Sequence, residues 1–476
     1  MVNFTLKQDF HEAELETVKK DNIEKIKVKR SSKYNIEIDI YCFIPEEIEL
    51  PDNNIFEKVL PDLNELHCMS KDHPVSELYL RNILINSVTT QSLRKLIFHG
   101  IASIYEIYIS LPATGEEKFS IYWILNKYDR MGYTRTIKIF HEEKTKIKYD
   151  GLFEDNYSNE KKKDIPVYLG WQAISLTYKK YNFIYSSCVP DNTHTDKQMT
   201  FIRFNEGDFP SEEEINDIIN ILSYLMGIEL FLIGKTTFNI MKSPIRNEYY
   251  SIFRDDIDLI LDRKGLPSVS ITIDFRHIYD IEKFINTFIE SYTVNKEKYP
   301  FEEVFWYIKE SYKQNIVNTI QPLSTAYDLM CNSYIEKSDN GKLIEDEEFK
   351  SLLESIKDNF SHIPSSENKK ILWNKITGLN CISGNHRNTL IFDLLEMELS
   401  DIEKQALIER NSVIHGSKKP INIEKRRKLS LVFYTLINRL ILRLLDVQIP
   451  YIDYSNEKFT IQHPHKMQTG EKYETI

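Results

Sequence analysis

The segment LIERNSVIHGSKKP, residues 407–420, gathers more chemically useful side chains than any other stretch of the chain. Four residues turn a helix by about 400°, so Asn411 and His415 share a side, while Arg410 is displaced from His415 by about 140°. A long guanidinium can close that gap. So can loosening of the helix end at Gly416 and Pro420, or a contribution from a neighbouring helix or subunit. A histidine titrating near neutrality can take the proton of a 2′-hydroxyl or give one to a 5′-oxygen leaving group, and an arginine can hold phosphate bidentately. These are the parts needed to cleave an RNA phosphodiester with no metal or other cofactor, with Asn411 orienting the histidine or the phosphate. The same residues suit a helix-capping histidine and a salt-bridged arginine, and the pair alone leaves both readings open.

Just beyond it, Lys418, Lys419, Lys425, Arg426, Arg427 and Lys428 are candidate RNA-phosphate contacts, or else the solvated start of an amphipathic helix. Cations at the start of a helix oppose its dipole, a mild cost that favours a functional role. No metal site is expected: Cys381, His386, Arg387 and Asn388 in NCISGNHRN lack the repeated close ligands of a zinc centre. His67, Cys68 and His73 are close in sequence, and DNTHTDKQ at 191–198 is polar enough for a binding loop, yet neither fixes a reaction. Lys95, Lys127, Arg130, Arg135 and Lys138 form either a positive patch or hydrated surface. Gly151 and Gly170 belong to no phosphate-loop or dinucleotide fingerprint.

The elements that must position these residues change character along the chain. Aromatic-rich, partly alternating runs at 34–44, 95–112, 119–128, 134–142, 145–153 and 173–189, separated by breaks such as PATGEE and YDRMGY, predict an antiparallel β region. The polar stretch 155–164 reads as an exposed loop. DFPSEEEINDIINILSYLMGIEL then predicts a helix capped by Ser211, with Ile215, Ile218, Ile219, Leu222 and Leu225 on one stripe. A strand follows at FLIGKTTFNIM, and then a mixed section that runs through SVSITIDF at 268–275. From about 280 the pattern is helical, with Pro322 kinking the third segment or marking its start. Helices are expected through 387–398 and 401–415, and 424–447 carries a broad apolar face suited to burial in a bundle.

The chain has 476 residues, 61 Lys plus Arg against 72 Asp plus Glu, a formal charge of -11, 28% charged and 41% hydrophobic side chains. That composition fits a folded, water-facing protein and argues against nonspecific DNA coating, because any nucleic-acid site must be a local basic patch working against the overall field. Five cysteines, at 42, 68, 188, 331 and 381, are odd in number and scattered, as expected of reduced thiols. With neither an apolar leader in MVNFTLKQDFHEAELE nor a membrane span expected, the chain is read as cytoplasmic.

The string ERNSVIHG, with helices before it and a basic helix after it, resembles the Arg-x4-6-His signature of HEPN domains. The resemblance implies a four- or five-helix bundle, often paired into a homodimer, and in many members a metal-independent RNA endonuclease serving as a toxin or antiphage factor. It implies a site of Arg410, Asn411 and His415 facing a cleft shared by two protomers, with Asp328 in PLSTAYDLM as the acidic partner of the motif arginine. The upstream region, including 213–230, resembles the ApeA-like group, in which a strand-rich domain precedes the HEPN domain. Some HEPN domains serve only as binding or dimerisation modules.

The expected fold is therefore multidomain α+β, a strand-rich N-terminal region followed by an all-α HEPN-type helical bundle. Its divisions are a sensing or regulatory region at 1–275, a helical connection at 276–299, a nuclease domain at 300–449 and a peripheral tail at 450–476. The expected function is RNA endonuclease action, leaving 2′,3′-cyclic phosphate ends, in prokaryotic antiphage defence by abortive infection. The expected partners are RNA, tRNA included, a second copy of the chain and a phage-derived trigger, with no membrane. The alternative is a noncatalytic HEPN module that binds RNA or protein and dimerises.

Overall fold

The structure, a computed structural model, describes residues 13–17, 22–31, 34–45, 59–60, 63–70, 76–92, 94–109, 117–125, 146–149, 153–156, 172–188, 199–240, 244–253, 278–315, 318–338, 342–361, 367–380, 390–414, 422–455 and 460–462. The strand predicted at 134–142 and the mixed stretch at 268–275 lie outside them, as does most of the loop at 155–164.

Among these residues one antiparallel sheet of twelve strands dominates. It contains β1 (Ala13–Thr17), β2 (Ile23–Arg30), β3 (Ile36–Phe43), β4 (Glu65–Ser70), β5 (Ser76–Ser92), β6 (Lys95–Ile109) and β7 (Glu117–Leu125). The short hairpin β8 (Lys146–Tyr149) and β9 (Phe153–Asn156) stands apart, after which β10 (Gln172–Tyr178), β11 (Tyr181–Cys188), β12 (Met199–Phe204), β13 (Phe231–Asn239) and β14 (Pro244–Tyr250) complete the sheet.

Its strand order explains how so long a sheet is closed. Strand β6 pairs with β5 along its whole length and offers its other edge first to β3 and then to β14. The order β6–β3–β2–β1–β4–β5 thus returns to β6 and leaves no open edge in that ring, while β14, β13, β7, β12, β11 and β10 extend from it. Alternation drives the inward face: in β2, Ile26 and Val28 are buried while Lys27 and Lys29 face out. Where β5 shifts register between Ile85 and Ser87, Gly100 lets the backbones close up, since a Cβ there would lie 2.5 Å from the Leu84 carbonyl oxygen.

Helix α1 (Glu212–Met226) begins in a capping box: the Ser211 backbone N–H donates to Glu214 Oε2 at 2.9 Å and the Glu214 N–H to Ser211 Oγ at 3.3 Å. Then come α2 (Ile278–Asn295), α3 (Phe301–Lys313), α4 (Ile320–Lys337), α5 (Asp346–Ser361), α6 (Glu367–Thr377), α7 (Asp401–Ile414) and α8 (Ile423–Leu444). Pro322 sits in the first turn of α4, where a missing N–H costs no helical bond, so it marks a start and not a kink.

The chain divides into two compact units: Met1–Ser223, Ile228–Lys264 and Thr272–Asn286 form one, and Tyr224–Gly227, Gly265–Ile271 and Thr287–Ile476 the other. The expected strand-rich region followed by an all-α bundle needs correcting. The large sheet dominates the described chain, and the second unit mixes helices with a hairpin, β15 (Tyr451–Asp453) and β16 (Thr460–Gln462). Nor is the start of the 450–476 stretch peripheral: residues 451–455 are buried, Tyr454 N–H donates to Thr435 Oγ1 of α8 at 3.2 Å, and the rings of Tyr434 and Tyr454 meet edge to face. The wide apolar face of α8 needs a cover on that side, and the hairpin supplies it.

Candidate functional site

The motif sits on α7, whose inward face is unusual. Its buried positions Glu403, Ala406 and Arg410 recur at helical spacing, so two of the three side chains that face the interior carry charge. Lone buried charges are strongly disfavoured, and each here has partners.

Glu403 fixes the start of the helix and its docking. Its Oε2 accepts from the Ser400 N–H at 2.8 Å and the Ser400 hydroxyl at 3.0 Å, while its Oε1 accepts from Arg439 Nη1 of α8 at 2.9 Å, with both side chains fully buried. Arg439 Nη2 also donates to the Glu398 carbonyl at 3.0 Å. One carboxylate therefore caps α7 and sets its position along α8.

Two turns later Arg410 is 6% exposed. Its Nη2 donates to Asp328 Oδ2 of α4, its Nη1 donates to Asn411 Oδ1 at 3.0 Å, and its guanidinium lies 5.2 Å from the centre of the Tyr327 ring. Its Nε is buried without a hydrogen-bond partner. The Asp328 side chain is 46% exposed, so the ion pair runs from the interior to the surface. Tyr327 packs near Phe392 and Phe433, and burial, followed by the neighbouring Cys331, holds its hydroxyl well above the usual tyrosine range; it is a neutral ring under the guanidinium.

Asp328, Arg410 and Asn411 are thus brought together, whereas His415, Lys418 and Lys419 lie outside the described residues. On α8, Asn422 Oδ1 accepts from the Lys425 N–H at 2.9 Å, capping the helix despite its cationic first turns. Lys425, Arg427 and Lys428 are exposed; Arg426 is instead drawn to Glu409, its Nε 3.0 Å from Oε1. That pair ties α8 to α7 beside Arg410.

The other candidate clusters separate. His67 stacks on Tyr79 with ring centres 4.5 Å apart, and the buried Cys68 thiol is pushed up to about 12 by burial, too high for a thiolate at neutral pH. Lys95 is paired to Glu24 at 3.0 Å; Lys127, Arg130, Arg135 and Lys138 lie outside the described residues, as do His73, residues 191–198, Gly151, Gly170, Cys381, His386, Arg387 and Asn388. Among the described residues no group of three or more His, Cys, Asp or Glu side chains is placed to hold a metal ion. Nor is any described helix long and apolar enough to cross a membrane.

Sequence reasoning passed over Tyr327, Glu403 and Glu409. Tyr327 could have been found from its place next to Asp328. The two glutamates find arginines 36 and 17 residues away, pairings that no local pattern encodes. No protein-family model, curated protein or solved structure matches the chain.

Proposed function

We propose that this chain is a metal-independent RNA endonuclease of the HEPN kind, acting in the cytoplasm in prokaryotic antiphage defence by abortive infection. The observation that carries the reading is the setting of Arg410: a buried guanidinium held by Asp328, Asn411 and Tyr327 at the C-terminal end of α7, five residues before His415 in the sequence.

In the proposed reaction His415 takes the proton of a ribose 2′-hydroxyl, whose oxygen attacks the adjacent phosphorus. The bond from phosphorus to the 5′-oxygen breaks, that oxygen is protonated, and the products carry a 2′,3′-cyclic phosphate and a 5′-hydroxyl. Arg410 offsets charge on the phosphate oxygens, and Asn411 holds Arg410 in line. Asp328 keeps the guanidinium oriented before substrate arrives. A second copy of the chain completes the cleft, and Lys425, Arg427 and Lys428, together with Lys418 and Lys419, track the RNA backbone. The sheet-bearing region restrains the nuclease until a phage-derived trigger arrives.

One observation favours the second reading, a noncatalytic module that binds RNA or protein. Arg410 is almost wholly covered, and three neighbours already use it. Incubating the full-length protein with total RNA separates the two. Cleavage by wild type that is lost in folded His415→Ala and Arg410→Ala supports the nuclease, whereas RNA retention without new ends, unchanged in His415→Ala, supports the module.

A further inference from the structure

On the outer face of the closed ring of strands, three side chains from three strands form a line of hydrogen bonds. Asp39 of β3 and His99 of β6 stand directly opposite each other in the ladder, with Asp39 Oδ1 2.7 Å from His99 Nδ1. On the far side of the imidazole, His99 Nε2 is 2.5 Å from Thr89 Oγ1 of β5. A carboxylate only accepts, so Nδ1 carries the proton and Nε2 accepts from the Thr89 hydroxyl. The other contact of that hydroxyl, to the Ile97 carbonyl, is long at 3.5 Å. Solvent reaches the whole line: Thr89 is exposed, and the His99 and Asp39 side chains are 37% and 26% exposed.

The bulge in β5 puts Thr89 in this line. Up to the bulge Leu84 is opposite Ile101 and Ile85 opposite Gly100; beyond it Ser87 is opposite His99 and Thr89 opposite Ile97. Opposed residues share a face, so without the extra residue Val88 would stand opposite Ile97, and no threonine would reach His99. Gly100, next to His99, is the residue that lets the two backbones close at that point. Apolar side chains flank the line on the same face, Leu84, 60% exposed, and Ile101 on one side of His99 and Ile97 on the other. A carboxylate, an imidazole and a hydroxyl in this order turn an alcohol into a nucleophile on folds that have nothing else in common, and the flanking side chains suit an aliphatic acyl chain.

We propose that Thr89, His99 and Asp39 form an active site of their own, which hydrolyses carboxylic esters with neutral aliphatic acyl chains. Thr89 Oγ attacks the ester carbonyl carbon while His99 Nε2 takes the hydroxyl proton. The bond from that carbon to the alcohol oxygen breaks, and His99 gives the proton to the departing oxygen. A water molecule, losing a proton to His99, then attacks the acyl group on Thr89; the carboxylic acid leaves and the proton returns to Thr89 Oγ. Asp39 is a positioning residue that holds the imidazole in the tautomer with Nε2 bare.

Incubating the full-length protein with p-nitrophenyl butyrate tests this without RNA, so its outcome and that of the nuclease reading are independent. Wild type should release p-nitrophenolate and, after acid quenching, carry a butyryl group on Thr89 in peptide mass spectra. Thr89→Val and His99→Gln should lower the release rate by about a hundredfold or more with the melting temperature unchanged, and Thr89→Ser should retain it. In Asp39→Asn the rate should fall together with a shift of His99 from the Nδ1–H to the Nε2–H tautomer, read by nitrogen NMR of the histidine ring. Release from Thr89→Val as fast as from wild type, or butyryl groups on wild-type lysines alone, would overturn the proposal. Where a variant does not fold, the position of the butyryl group on wild type decides.

Discussion

At the scale of single residues, the account turns on how Arg410 is held. Its ring contact with Tyr327 is desolvated, a setting in which a cation–π contact is worth about 2 kcal/mol. Tyr327→Phe keeps the ring and should keep RNA cleavage, while Tyr327→Leu should lower kcat by roughly tenfold or more with fold intact. Equal loss in both variants would assign the effect to the hydroxyl and its Cys331 neighbour. A second residue-scale consequence concerns Asp453, fully buried on β15. Burial is the main cause holding its carboxyl above the ordinary range, and Glu403 adds to it while Arg439 opposes. A carboxyl raised in the folded state contributes most favourably below its unfolded value, about 3.9, and less as pH rises through the folded value. Asp453→Asn, whose amide oxygen can still accept from the Ser455 N–H, should therefore raise the melting temperature at neutral pH and flatten its fall between acidic and neutral pH. Melting curves across that range check both.

At the scale of elements, α7 is positioned by Glu403 at one end and used at the other. Glu403→Gln leaves Arg439 buried without its counter-charge, and breaking one side of such a pair typically costs about 3–5 kcal/mol. The denaturant midpoint should drop accordingly, while replacing both partners with apolar residues should recover most of the loss. How much of this was legible follows from how local each signal is. The Ser211 cap and the start of α8 are written in neighbouring residues, as are the residue types at 410 and 411, whereas the run read as one stretch at 173–189 folds back on itself as β10 and β11. Strand β2 carries the same local signal, Ile26 and Val28 alternating with lysines, but the strands expected from sequence begin at 34 and miss it. Strand β5 was not legible, because its second half, INSVTTQS, is polar and exposed and is held as strand by β6. The cover of β15 over α8 depends on packing between segments that share no periodicity, as does the Glu403–Arg439 pair.

At the scale of the whole molecule, the two compact units are not consecutive stretches of sequence. Tyr224, at the end of α1, belongs to the second unit: its hydroxyl donates to Asn438 Oδ1 at 3.1 Å and its ring stacks on Phe305 at 4.4 Å. A chain starting at residue 287 loses this buried tyrosine and should unfold at lower temperature without a sharp transition, as calorimetry would show. The proposed restraint of a nuclease by the first unit must therefore be tested in the full-length protein. The formal charge of -11 adds a further requirement to the proposed function, under which RNA would have to be drawn to a local patch around α8 against the overall field. RNA binding should weaken steeply with added salt, and the slope should shrink when Lys425, Arg427 and Lys428 are replaced by alanine.

The chemistry of the product ends tests the central claim most directly. RNA treated with the purified full-length protein in the presence of a chelator, then analysed for end groups, should carry 2′,3′-cyclic phosphates and 5′-hydroxyls that are absent when His415→Ala replaces wild type. Ends bearing 5′-phosphates, or cyclic ends made equally well by the folded His415→Ala protein, would contradict it.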